Sequence, residues 1–206
     1  MAGTVTLWRE PEGALPNALA LGYASGAYAL SFVLMAASPV WMNVLGVLLC
    51  AHAMTIAAYL IHEAAHYTLF ASPGHNRLAG EAMSWVAGSA YASFERIRHL
   101  HLRHHRDRAD VTCFDYKALL RRSALLRRAV LALEWAYVPA VELIMHAQIV
   151  VRPFVDASQR RHLPRVVTVL ALRLGLLAAL AVVSLKAALL YLLAYWILLK
   201  TLDFFD

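Results

Sequence analysis

The sequence predicts an all-α integral membrane protein, with four transmembrane helices in two hairpins and a cytoplasmic histidine-rich helical cap. Three observations carry that expectation. Hydrophobic residues make up 61% of the chain and charged residues 16%, whereas soluble domains run near about half and about a quarter. Four apolar runs approach the roughly 20 residues that a helix needs to cross the hydrocarbon layer. The basic residues are gathered in one long middle segment and are sparse within those runs.

The opening stretch "MAGTVTLWREPEGALPN" carries both signs of charge together with Pro11 and Pro16. It is unlike a cleavable signal peptide, so the first apolar run is expected to remain as a helix. That run extends from about Ala18 to Ala37 and stops ahead of Pro39, which disfavours helix at the residue before it. The second, about Val40 to Ile61, continues into "YLIHEAAHYTLF" (59–70), so its histidines fall where the helix leaves the membrane.

Between Tyr67 and Arg165 lie fifteen of the nineteen Lys and Arg residues. By the positive-inside rule the segment 67–165 is cytoplasmic or interfacial, and the N-terminus shares its side. Within it, "YKALLRRSALLRRAV" (116–130) alternates paired leucines with paired arginines, the pattern of an amphipathic helix on an anionic membrane surface. A solvated basic loop is the plainer alternative. The stretch "AVLALEWAYVPAVELIMHAQIVV" (129–151) is apolar enough to span, but Glu134, Glu142, His146 and Pro139 oppose that. An interfacial or partly embedded helix pair is expected instead, with Trp135 and Tyr137 at headgroup level. The last runs, about Val166–Ser184 and Ala187–Leu202, are joined tightly at "SLKAA" and form a hairpin whose ends return to the cytoplasm. Residues 1–206 form one integral domain without internal repeats.

Composition also excludes some functions. Cys50 and Cys113 make neither a disulfide framework nor a metal knuckle. The net charge of +6 comes from residues beside apolar segments, without a nucleic-acid motif, so no nucleic-acid partner is expected.

The histidines carry the chemistry. His62 and His66 are four apart and so project from one helical face, where they can grip one metal ion or adjacent positions of a cluster. In "RIRHLHLRHHRDRAD", His101, His104 and His105 share a second helical face. Scattered histidines on a basic surface are common, but two clusters with ligand spacing at one membrane face favour metal binding. His99 points away from His101, and His52 lies about 21 Å deeper on the helix than His66, too far to share its site. His52 is left as a packing or tunnel-lining residue. His75, His146 and His162 stand singly and receive no role.

"HEAAH" matches the zinc-protease pattern, with His62 and His66 as ligands, Glu63 as general base and Asp203 as a candidate third ligand from another span. That reading leaves the second cluster without a purpose, because zinc takes only four ligands. A two-metal site uses the additional imidazoles, and redox-active iron performs oxidations that zinc cannot.

The pair "HEAAH" and "HLRHH", some thirty-five residues apart, resembles the first and second histidine boxes of the membrane fatty acid desaturase and hydroxylase superfamily. "HNRLAG", with Asn76, and the acidic "DRADVTCFD" also look like family usage. The order of spans and boxes is similar to the family's from about residue 18 onward. The resemblance implies that His62, His66, His101, His104 and His105 bind two iron ions. It implies that Glu63 supports a ligand imidazole, with Asn76 as a further supporting residue, and is not a catalytic base. The family has a third histidine box after the fourth span, which is absent before Asp206. The expectation is therefore a C-terminally incomplete chain whose own site is half-built.

The function so implied is O2-dependent desaturation or hydroxylation of a fatty acyl or other lipid hydrocarbon chain. The electron donor would resemble a ferredoxin or a cytochrome. Arg96, Arg98, Arg103, Arg106 and Arg108 would receive that acidic donor or a charged headgroup, or would only enforce topology. The Ala, Leu and Arg bias suggests a GC-rich bacterium and hence an inner membrane. The alternatives are the membrane zinc metalloprotease and a non-catalytic remnant that binds adventitious metal.

Overall fold

The computed structural model describes residues 7–107 and 116–202, apart from the side chain of His104. Arg108, Cys113 and Asp203, singled out above, lie outside the described residues. Within them the regular structure is helical, with one isolated bridge between Trp8 and Phe70. Helices α1 (Ala14–Ala36) and α2 (Val40–His66) form the first hairpin. Then follow α3 (Pro73–Ala87), α4 (Phe94–Asp107), α5 (Tyr116–Arg122), α6 (Ala124–Trp135) and α7 (Ala140–Val155). Helices α8 (Leu163–Val183) and α9 (Leu185–Leu202) close the chain.

Four helical stretches are long and apolar enough to cross a membrane: Pro11–Ala36, Val40–His66, Ala157–Val183 and Leu185–Leu202. The four expected spans are thus present. The second runs unbroken to His66, and a 3-10 turn at Ala157–His162 prolongs the third.

The bundle is tied where its backbone would otherwise be left unsatisfied. Asn43 donates to the carbonyls of Leu34, Met35 and Ala37 at 3.0, 3.1 and 2.8 Å. Lys186, at the start of α9, donates to Ala37 O as well. These bonds occupy the orphan acceptors at the end of α1, which hydrocarbon cannot solvate. Next to them Gly46 permits close approach, since a Cβ there would lie 2.9 Å from Met35.

The sequence reading treats 67–165 as one cytoplasmic or interfacial segment, but α3 packs into the bundle. It turns back along α2, so Met83 and Ala87 meet Ala57, Leu60 and Ile61, while Val86 reaches the cluster around Cys50 and Met54. Helix α4 returns toward His66. The crossing is tight: a Cβ on Gly80 would fall 2.2 Å from the Phe94 ring, and Gly88, at φ 89°, leaves room for Tyr195. Glu81 pins this turn, accepting from Phe94 N at 2.8 Å and from Arg165 at 2.6 Å. Arg165 also donates to Ala90 O at 2.9 Å.

The stretch 116–130 is not one amphipathic helix. It breaks at Ser123, whose hydroxyl caps α6 by accepting from Leu126 N at 3.2 Å. Helices α6 and α7 are the helix pair expected for 129–151, bent by 116° near Pro139. Glu134 explains how that bend holds its charge: it accepts from Val141 N at 2.9 Å and pairs with Lys200 of α9.

Candidate metal centre

The last turn of α2 carries His62 and His66 on one face. The helix ends at Tyr67 in the left-handed conformation, φ 60°, with its N–H on Ala64 O and Glu63 O. The turn that follows is held by Asn76, fully buried, whose amide bonds Phe70 N, Phe70 O and Ser72 O at 3.2, 2.7 and 2.9 Å. Asn76 therefore spends its bonds on the connection that starts α3, and makes none to an imidazole among the described residues. Arg98 of α4 lies 4.0 Å above the Tyr67 ring, fastening α4 to the end of α2.

This packing brings His101 and His105 against His66. The Nε2 atoms of His66 and His101 are 2.9 Å apart, those of His101 and His105 3.0 Å, and those of His66 and His105 3.3 Å. With His62, each ring offers a nitrogen within 4.8 Å of the others. His62 and His101 are half-buried and His66 and His105 exposed, so the cluster is reachable from solvent. His104 has its backbone in α4 beside them; its side chain is outside the description.

Two arguments test whether these residues suit a metal. Three ring nitrogens in a mutual triangle cannot all be paired by hydrogen bonds, because each is either donor or acceptor and at least two must be alike. A shared ion removes that conflict. An ion about 2.0–2.1 Å from two imidazole nitrogens, at right or tetrahedral angles, also holds them about 2.9–3.4 Å apart. The triangle's edges fall in that interval.

Glu63 sits at the edge of the cluster. Its Oε1 is 3.2 Å from His62 Nδ1, and its Oε2 accepts from Thr68 Oγ1 at 2.6 Å. A carboxylate there favours the Nδ1–H tautomer and leaves His62 Nε2 free as a donor to metal. Thr68 escaped the sequence reading. Its signal was only a hydroxyl five residues after the glutamate, just past the helix end.

The other histidines stay apart. His52 Nδ1 bonds Tyr23 OH at 2.6 Å, consistent with packing between α1 and α2. His99 is exposed. His146 lies against Glu142 of its own helix, and 3.4 Å from Tyr195 OH.

Fold and site together define a helical membrane protein with a polyhistidine, metal-competent cluster at the end of its second span. Its sequence matches the fatty acid desaturase family over residues 39–205, most of the chain, and it belongs to that family. No curated protein and no solved structure matches it.

Proposed function

We propose that this chain is an O2-dependent di-iron oxidoreductase that desaturates or hydroxylates a fatty acyl or other lipid hydrocarbon chain. The observation that carries the reading is the convergence of His62, His66, His101 and His105 in a member of the fatty acid desaturase family. The imidazole set suits iron as well as zinc, and it exceeds what the "HEAAH" motif alone contributes.

Iron bound there would supply the oxidant for an unactivated C–H bond. In desaturation, dioxygen takes two hydrogens from neighbouring carbons, with two electrons and two protons from a donor, and leaves as water. In hydroxylation one oxygen atom enters the C–H bond and the other becomes water. A ferredoxin or cytochrome supplies the electrons, and the basic face of α4 suits an acidic donor of that kind.

The chain's own residues hold and aim. His62, His66, His101 and His105 would be the ligands, with His104 as a fifth. Glu63, steadied by Thr68, would fix the His62 ring and raise its basicity. Asn76 would act at one remove, through the turn between the first histidine pair and α3.

The test is metal analysis of the full chain in detergent, joined to an assay with an acyl lipid, oxygen and reduced ferredoxin. Iron that disappears in His66→Ala and His101→Ala, with oxidised lipid formed by the parent chain, supports the reading. A single zinc per chain, with peptide cleavage abolished by Glu63→Gln, replaces it with the hydrolase. Substoichiometric mixed metal and no turnover leave a non-catalytic remnant.

A further inference from the structure

A second polar constellation lies far from the histidines. Helices α1, α8 and α9 and the end of α3 line a half-open cavity of about 450 Å³. Phe32, Trp85, Leu177, Leu180 and Tyr191 line it, and Arg173 of α8 is the one charged side chain among the described lining residues. The bond between Tyr23 and His52 fixes the register of α1 against α2. His52 precedes His66 by about 21 Å of helix, and the cavity's Tyr28 and Phe32 lie farther along α1 in the same direction. The cavity is therefore separate from the metal centre.

Arg173 stands in the middle of an apolar span, where a charge is costly unless it is matched. Three other cations of the bundle have side-chain or backbone acceptors: Arg165 has Glu81, Lys200 has Glu134, and Lys186 has Ala37 O and Asn43. Arg98 and Arg103 share a buried, unpaired Nε with Arg173, but they lie on α4, outside the apolar spans. Arg173 donates from Nη2 to Trp85 O at 2.7 Å, and its guanidinium lies 5.8 and 5.7 Å from the Trp85 and Tyr91 ring centres. Its Nε is buried with no acceptor, and no carboxylate among the described residues forms an ion pair with it. A guanidinium has five N–H donors, so one backbone carbonyl leaves it under-matched. Burial pushes the nearby Tyr91 phenol up from its ordinary value.

We infer that this cavity binds a single-chain amphiphile with a carboxylate head, the head on Arg173 and the chain against Leu177, Leu180, Phe32 and Tyr191. A carboxylate matches the guanidinium fork, and one cation without a second basic group in the lining suits a monoanion. The volume is that of a small-ligand site. The direction is set by α8: Leu177 and Leu180 follow Arg173 by one and two turns, away from the histidines. The occupant thus points away from the metal centre, and the inference does not rest on the oxidase reading.

The experiment is saturation binding of radiolabelled palmitate to the full chain in nanodiscs of zwitterionic lipid. One palmitate per chain is expected, displaced by unlabelled palmitate and not by hexadecanol. Arg173→Gln should weaken binding by about tenfold or more, equivalent to losing a charge-assisted pair, with Arg173→Lys in between. Leu177→Trp should fill the cavity and remove binding while leaving Arg173 in place. Chelator-stripped protein should bind as before. Unchanged affinity in Arg173→Gln, or binding lost with the metal, overturns the proposal. If the variants do not fold, a palmitate carrying a terminal diazirine is crosslinked to the parent chain. Adducts at Leu177, Leu180 or Tyr191 support the site, and adducts confined to the His62–His66 turn refute it.

Discussion

Helices α2 and α8 are both 27-residue apolar stretches when the turn before α8 is included, yet 50% of the most apolar part of α2 is buried inside the protein, against 11% for α8. The difference lies in what packs around each helix and not in composition alone, since Ala171, Gly175, Ala178 and Ala179 of α8 stay exposed. Helix α2 buries Gly46, Cys50, Ala51, Ala53, Ala57, Ala64 and Ala65, while α8 buries only Val166 and Val169 and leaves Leu172, Leu174 and Leu176 exposed. Lipid is as apolar as leucine, so helices in a membrane adhere where small residues allow close approach. The helix that carries His62 and His66 is gripped on several sides. The one that lends Arg173 to the cavity is left largely to the lipid.

The largest effect should come from breaking the gripped helix at its tip. His66→Ala removes the one nitrogen that lies within 3.3 Å of both His101 and His105. Bound metal should fall to background by elemental analysis, with the α-helical circular dichroism unchanged. Retention of stoichiometric metal would show that the triangle is not the binding site. Glu63→Gln is next: it keeps the shape but loses the carboxylate on His62 Nδ1, and metal affinity should drop about 10–100-fold.

Gly80→Ala tests the grip without touching a histidine. Its new methyl would meet the Phe94 ring at 2.2 Å, a contact that forces α4 to shift. Overpacking of this kind costs about 1–3 kcal/mol, readable as a lower midpoint in mixed-micelle unfolding. Because α4 carries His101 and His105, metal affinity should fall along with stability.

These cases show what could be read from the chain beforehand. The four spans were legible because their apolar length is a property of each segment alone. The histidine faces were legible because ligand spacing is set by the helical repeat. The return of α3 along α2 was not, since Gly80 and Gly88 announce only that something comes close, and neither Phe94, beyond the next turn, nor Tyr195, far along the chain, is marked as the partner. The break at Ser123 was missed because paired arginines and leucines on both sides of it continue one amphipathic pattern, though a serine is also a ready N-cap. Arg173 is a lone cation inside an apolar run, a clear signal by itself, but the cavity it lines joins Phe32, Trp85 and Tyr191 from distant segments and cannot be read from α8 alone.

The smallest effect should appear at the lipid-facing end of α8, where Val182 and Val183 are 89% and 83% exposed. Val182→Leu exchanges one apolar surface for another against hydrocarbon, with no neighbour to displace. Its unfolding midpoint should move by less than the equivalent of about 0.5 kcal/mol. The matched change in α2, Val47→Leu, forces a longer side chain into a buried site and should cost about 1–3 kcal/mol. The contrast between the two is the measurement that matters, because both substitutions add one carbon to a valine in an apolar span and differ in what surrounds it. Equal losses at Val182 and Val47 would mean that α8 is packed against protein at that end, and the division between a gripped helix and a lipid-bathed one would fail.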